Sequence, residues 1–109
     1  MRTLKFVVDD QILKPDPSCN FNNLVPGGKE CVKLEFSFSS NWNGYARGVE
    51  FSSALGKQYT PKVLVDGRSC IVPVDALARR VFKVRVVGKK KDETITTNKF
   101  AVKQSGGEV

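Results

Sequence analysis

Apolar and polar residues alternate with a period of two along most of this chain. In residues 31–38, Val32, Leu34, Phe36 and Phe38 share one face, while Lys33, Glu35 and Ser37 share the other. A half-buried antiparallel strand requires that pattern. The same alternation recurs in residues 4–8 and 82–86. Turn chemistry separates the runs. Asp9-Asp10 closes the first, and Pro15-Asp16-Pro17 with Pro26-Gly27-Gly28 brackets a polar loop. Asn43-Gly44, Leu55-Gly56-Lys57, Asp66-Gly67 and Gly88-Lys89 mark later reversals, several at hairpin spacing. The pattern predicts seven to nine strands, at 3–8, 11–14, 30–38, 45–52, 57–65, 69–72, 81–87, 93–97 and 99–103. Only residues 73–80 carry helix formers, enough for one or two turns, with Pro73 at a tolerated first-turn position.

Many short strands in about 100 residues point to an all-β fold. The reading is an immunoglobulin-like antiparallel β-sandwich with one short helical turn, with a small β-barrel as the alternative. A length of 109 residues leaves room for one domain, read as 1–103 followed by a flexible tail at 104–109. The cysteine–tryptophan–cysteine pattern of antibody domains does not fit, because no tyrosine corner precedes Cys70. At 40% hydrophobic and 27% charged, the composition is that of a globular chain. No apolar run approaches the roughly 18 residues of a membrane span, and residues 1–6 lack the apolar stretch of a signal peptide.

The net charge of +7 is unevenly placed. Residues 1–54 hold six Lys/Arg against six acids, and residues 55–109 hold twelve against five. The dense part comprises Arg79, Arg80, Lys83, Arg85, Lys89, Lys90 and Lys91. Such a cluster would attract phosphates or an acidic protein face; the favoured reading is a solvated strand face followed by a lysine-rich turn that keeps the protein soluble. Base stacking wants aromatics among the charges, and the only one within the stretch, Phe82, reads as buried.

The chain has no histidine. Ser–His and Cys–His pairs, a histidine base and histidine-ligated zinc are therefore excluded. Cys19, Cys31 and Cys70 fit no metal spacing and are expected as reduced thiols in the cytoplasm. Cys31 and Cys70 open apolar strands and read as core residues, while Cys19 reads as an exposed thiol. Asp9-Asp10 and Asp92-Glu93 sit in turns, and adjacent strand side chains point to opposite faces. Neither pair converges on one substrate atom. No phosphate-loop glycine motif is present. No catalytic residue, cofactor or metal is expected, and no membrane partner.

Within 39–44, Trp42 has two readings: an exposed ligand-stacking ring, or a plug in the end of the sandwich with its indole N–H on a carbonyl. Tyr45 and Tyr59 share them, and packing is the commoner outcome. Phe36, Phe38, Phe51 and Phe82 are the expected core around that cap.

The order of these pieces carries a resemblance. Phe36 and Phe38 lead to Ser39-Ser40-Asn41-Trp42-Asn43-Gly44, then to Val49, Phe51, Tyr59 and Val63. Asp66-Gly67 and Cys70-Ile71-Val72-Pro73 follow, then Leu77, Phe82-Lys83-Val84-Arg85-Val86-Val87-Gly88 and Ile95-Thr96-Thr97-Asn98. Over residues 30–100 this resembles the small sandwich domains of tail, baseplate or head-associated proteins of tailed phages infecting Gram-positive bacteria. The resemblance implies a non-enzymatic virion or assembly component, made in the bacterial cytoplasm, that binds other phage subunits or itself. The same positions make physical sense as a fold: Trp42 is expected to cap the core, Pro73 to break a strand at the sheet edge, Gly88 to allow a tight reversal and Thr97-Asn98 to end a strand. Two other readings stand beside it. One is a small basic phage inhibitor of a host nuclease or defence complex, comparable to an anti-CRISPR protein, binding an acidic host partner. The other is a nucleic-acid-binding protein.

Overall fold

The structure, a computed structural model, describes residues 2–21 and 31–104. In chain order it contains β1 (Arg2–Asp9), β2 (Ile12–Pro15), β3 (Val32–Phe38), a 3-10 turn (Ser40–Trp42), β4 (Ala46–Ser53) and β5 (Lys62–Val63). Then come β6 (Ser69–Ile71), α1 (Val74–Leu77), β7 (Val81–Lys90), β8 (Glu93–Thr96) and β9 (Phe100–Lys103). Sheet one has the order β2-β1-β3-β6, and sheet two has β5-β4-β7 with β8 and β9 both on the far edge of β7. The fold is an all-β sandwich. Its sheets do not close on each other, so the barrel alternative falls away.

The alternation becomes burial. Leu4, Phe6, Val8, Leu34 and Phe36 from sheet one meet Val49, Phe51, Phe82, Val84 and Val86 from sheet two, all within 2% of full burial. Removing each of these side chains from water contributes about 1.5–3 kcal/mol. Phe6 stacks on Phe36 at 5.5 Å between ring centroids and meets Phe100 edge-on at the same distance.

Several expectations are corrected. The β1–β3 pair is parallel, with Phe6 opposite Phe36. A parallel pair demands a connection that returns to the starting end of β1 before β3 begins, longer than a hairpin turn. The strand expected at 57–65 contracts to Lys62–Val63, with Gln58 in an isolated bridge to Ser52. Pro61, which has no N–H to donate, interrupts it. The reversal expected at Gly88 lies later: β7 runs on to Lys90, and Lys91 turns with a φ of 52°. Cys31 is exposed ahead of β3, Cys19 is half-buried and Cys70 alone is in the core. Gln104, assigned to the tail, is only 5% exposed and bonded to the 77–80 segment. The Pro26-Gly27-Gly28 turn, the start of the strand expected at 30–38 and residues 105–109 lie outside the described residues.

Asp66-Gly67 behaves as its composition requires, with φ of 52° and 74° in the turn that links β5 to β6 across the two sheets. β8 and β9 form one strand with a bulge. Val87 pairs with Thr96 and Val84 with Phe100, so residues 97–99 oppose only Arg85 and Val86, one residue too many for the ladder. That bulge delivers Asn98 to sheet one.

Candidate functional site

The basic stretch is threaded along β7, and the pleat divides it. Phe82, Val84, Val86 and Gly88 point inward, while Lys83, Arg85, Val87 and Lys89 share the outer face of sheet two. Arg79 and Arg80 are exposed ahead of the strand, and Lys90 and Lys91 are exposed at its other end. Ten residues of strand separate those ends by about 30 Å at roughly 3.3 Å per residue. The seven cations therefore form three groups.

Local partners divide them further. Arg85 is paired in register with Glu50 on β4; its Nε donates to Oε1 at 2.9 Å and its Nη2 lies against the same oxygen. The Lys90 ammonium sits 5.6 Å from the centroid of the Tyr45 ring. The Tyr45 hydroxyl donates to Glu93 at 2.8 Å. That bond, more than desolvation or the nearby charge, raises the pKa of the phenol above its ordinary value. Among the described residues, no carboxylate lies within ion-pair distance of Lys83, Lys89, Arg79, Arg80 or Lys57.

Three surface depressions accompany these charges. On the outer face of sheet one, a cleft of about 320 Å³ is lined by Lys5, Lys33 and Arg68 together with Asp16, Glu35 and Asp66. It satisfies its own charge, with Lys33 and Glu35 at 3.3 Å. Two backbone and hydroxyl donations from Ser18 hold Asp16 below the usual carboxylate range. On the outer face of sheet two, a depression of about 260 Å³ has Gly48 among its lining residues. Ala46, Pro61, Val63 and Val87 make its walls, and Lys89 and Glu50 border it. Val63 is 81% exposed beside it. The third cleft, about 610 Å³, lies between the 53–59 hairpin and the Arg79-Arg80-Val81 segment.

The cap residues fall where the packing reading puts them. Trp42 is fully buried and its Nε1–H donates to the Asp10 carbonyl at 2.6 Å. Phe36, Phe51 and Phe82 are buried. Phe38 is half-buried beneath the Arg47 guanidinium, 4.2 Å from the ring centroid. Arg47 was visible in the sequence only as one more cation. Its Nη1 donates to the Gly67 carbonyl and its Nη2 to the Trp42 carbonyl, both at 3.0 Å, which ties two turns together.

Asn98 is also more than a strand end. Its side-chain oxygen accepts from the Leu13 N–H at 2.7 Å, and its amide donates to the Leu13 carbonyl at 3.2 Å. The amide thus takes the place of a neighbouring strand on the open edge of β2. Among the described residues no group of three or more acidic or cysteine side chains gathers as a metal site. Nor is any helix there long and apolar enough to cross a membrane. No protein-family model matches this chain, and no curated protein matches it either.

Proposed function

We propose that this chain is a non-enzymatic docking module of a tailed-phage particle. It is made in the host cytoplasm and joins the virion by binding another phage subunit. One observation carries the reading: the Gly48 depression on the outer face of sheet two. Its apolar floor and walls are bordered by Lys89 and the Arg85–Glu50 pair. An apolar centre with a charged rim is the composition of a protein interface. The order of motifs over residues 30–100 supplies the phage assignment. Lys89 at its border, which meets no carboxylate among the described residues, favours a partner surface with acidic residues at its margin.

The inhibitor and nucleic-acid readings both draw on a continuous basic strip. Division of the seven cations between two ends and one face weakens that support, and Phe82, only 1% exposed, offers no stacking surface.

The test is mass spectrometry of gradient-purified particles of the parent phage, with copy number, for the natural chain and for a Val63→Asp/Val87→Glu variant. Many copies of the natural chain and exclusion of a folded variant are expected. Absence of the natural chain from particles, with abundant protein in infected cells, would overturn the proposal in favour of a host target.

A further inference from the structure

We propose a second binding site, for an acidic peptide segment with apolar neighbours, in the cleft between the 53–59 hairpin and Arg79-Arg80. It lies on the same sheet as the Gly48 depression but about 20 Å away along β7, counting six residues from Val87 to Val81. It stands without the docking-module reading, since its evidence is local.

The cleft is the largest of the three, at about 610 Å³, within the roughly 300–1,000 Å³ of small-ligand sites. Its walls combine two chemistries. Ala54, Leu55, Val81 and the Tyr59 side chain are apolar or largely so, whereas Lys57, Arg79 and Arg80 are cations. Among the described residues, no acidic side chain lines it. Leu55 stands 99% exposed at the hairpin tip, where Gly56 with a φ of 97° makes the bend. A large apolar side chain beside guanidinium groups that meet no carboxylate among the described residues fits a ligand that pairs carboxylates with aliphatic or aromatic side chains.

Two features prepare this site. The backbone that presents the arginines is fixed by buried Gln104. Its amide donates to the Leu77 carbonyl at 3.0 Å and to that of Arg79, and its N–H donates to Arg80 at 2.7 Å. Guanidinium groups on a fixed backbone bind carboxylates with less ordering cost. The second is the Tyr59 ring, 8% exposed, which is held in place by burial and forms part of the cleft wall.

A nucleic-acid backbone is the poorer occupant. It favours an open polar groove with exposed rings for stacking, and the ring in this wall is buried.

The experiment is fluorescence anisotropy with the full chain. The probes are fluorescein-labelled ten-residue peptides alternating Glu with Leu or Phe, a Lys-for-Glu counterpart and an oligothymidine. Saturable binding of the acidic peptides alone is expected, weakened at least tenfold by Arg79→Ala/Arg80→Ala and by Lys57→Glu. Lys89→Glu/Lys91→Glu, at the far end of β7, should leave affinity within twofold. Circular dichroism establishes that each variant is folded. No saturable acidic-peptide binding at low salt would overturn the proposal, as would equal loss in the Lys89→Glu/Lys91→Glu variant. Tighter oligothymidine binding through Arg79 and Arg80 would also overturn it.

Discussion

Gly88 lies against the face of Trp42. A Cβ placed on Gly88 would sit 2.8 Å from Cζ3 of the indole and 2.8 Å from Cγ2 of Ile95. Gly88 therefore works inside β7 as the space that lets a fully buried tryptophan close the end of the sandwich. Trp42 cannot retreat, because its Nε1–H is held by the Asp10 carbonyl. Gly88→Ala should destabilise the fold by about 1–3 kcal/mol, the usual cost of overpacking a core. Urea denaturation followed by tryptophan fluorescence measures it. An unchanged midpoint would show that Ile95 and the indole can both yield.

The Asn98 clasp gives a second expectation. Asn98→Ala removes both bonds to Leu13, which is 2% exposed. Leaving those backbone groups unpaired should cost about 1–3 kcal/mol. It also uncovers the β2 edge for pairing with another chain. Lower thermal stability should come with concentration-dependent association in analytical ultracentrifugation. Asn98→Asp keeps the acceptor but sets an oxygen against the Leu13 carbonyl, so it should recover only part of the loss.

The places of the strands were legible because burial on one face imposes a period of two, and turns such as Asp66-Gly67 declare themselves by residue type. Partnership was less legible. Period two is the same for parallel and antiparallel neighbours, so the β1–β3 pairing left no mark in residues 32–38. Position in a strand did not settle burial at its ends: Cys31 and Cys70 read alike, yet only Cys70 passes inside. The candidate sites were partly legible. Arg79 and Arg80 stood out as charge, but their cleft is completed by Leu55, Lys57 and Tyr59, twenty or more residues earlier. The Gly48 depression gathers residues of β4, β5 and β7 that are far apart in sequence, with no motif to mark it.

Arg47 yields a third expectation. The fork of its guanidinium spans the carbonyls of Trp42 and Gly67 while covering Phe38. A lysine ammonium is a point charge without that planar fork. Arg47→Lys should therefore lose one carbonyl contact and the stacking, lowering stability by about 1–2 kcal/mol. A loss below a few tenths in urea denaturation would mean that the turns hold without this bridge.

The cysteines separate by reactivity. Cys31 is exposed and Cys70 is buried. Burial pushes the Cys70 thiol up from 9.0 to about 12, with the Lys62 charge opposing. The thiolate is the reacting form, so at pH 8 iodoacetamide should modify Cys31 readily and Cys70 only on unfolding. A raised folded pKa means that the folded state holds the proton more tightly. The associated stability is complete below about pH 9 and is lost as pH rises towards 12. Urea midpoints across pH 8 to 11 should fall less steeply for Cys70→Ala than for the natural chain. The residual fall includes Tyr45, whose pKa is raised by Glu93. Equal slopes for the two proteins, or rapid labelling of Cys70 in the folded state, would show that the thiol is not shielded by the core.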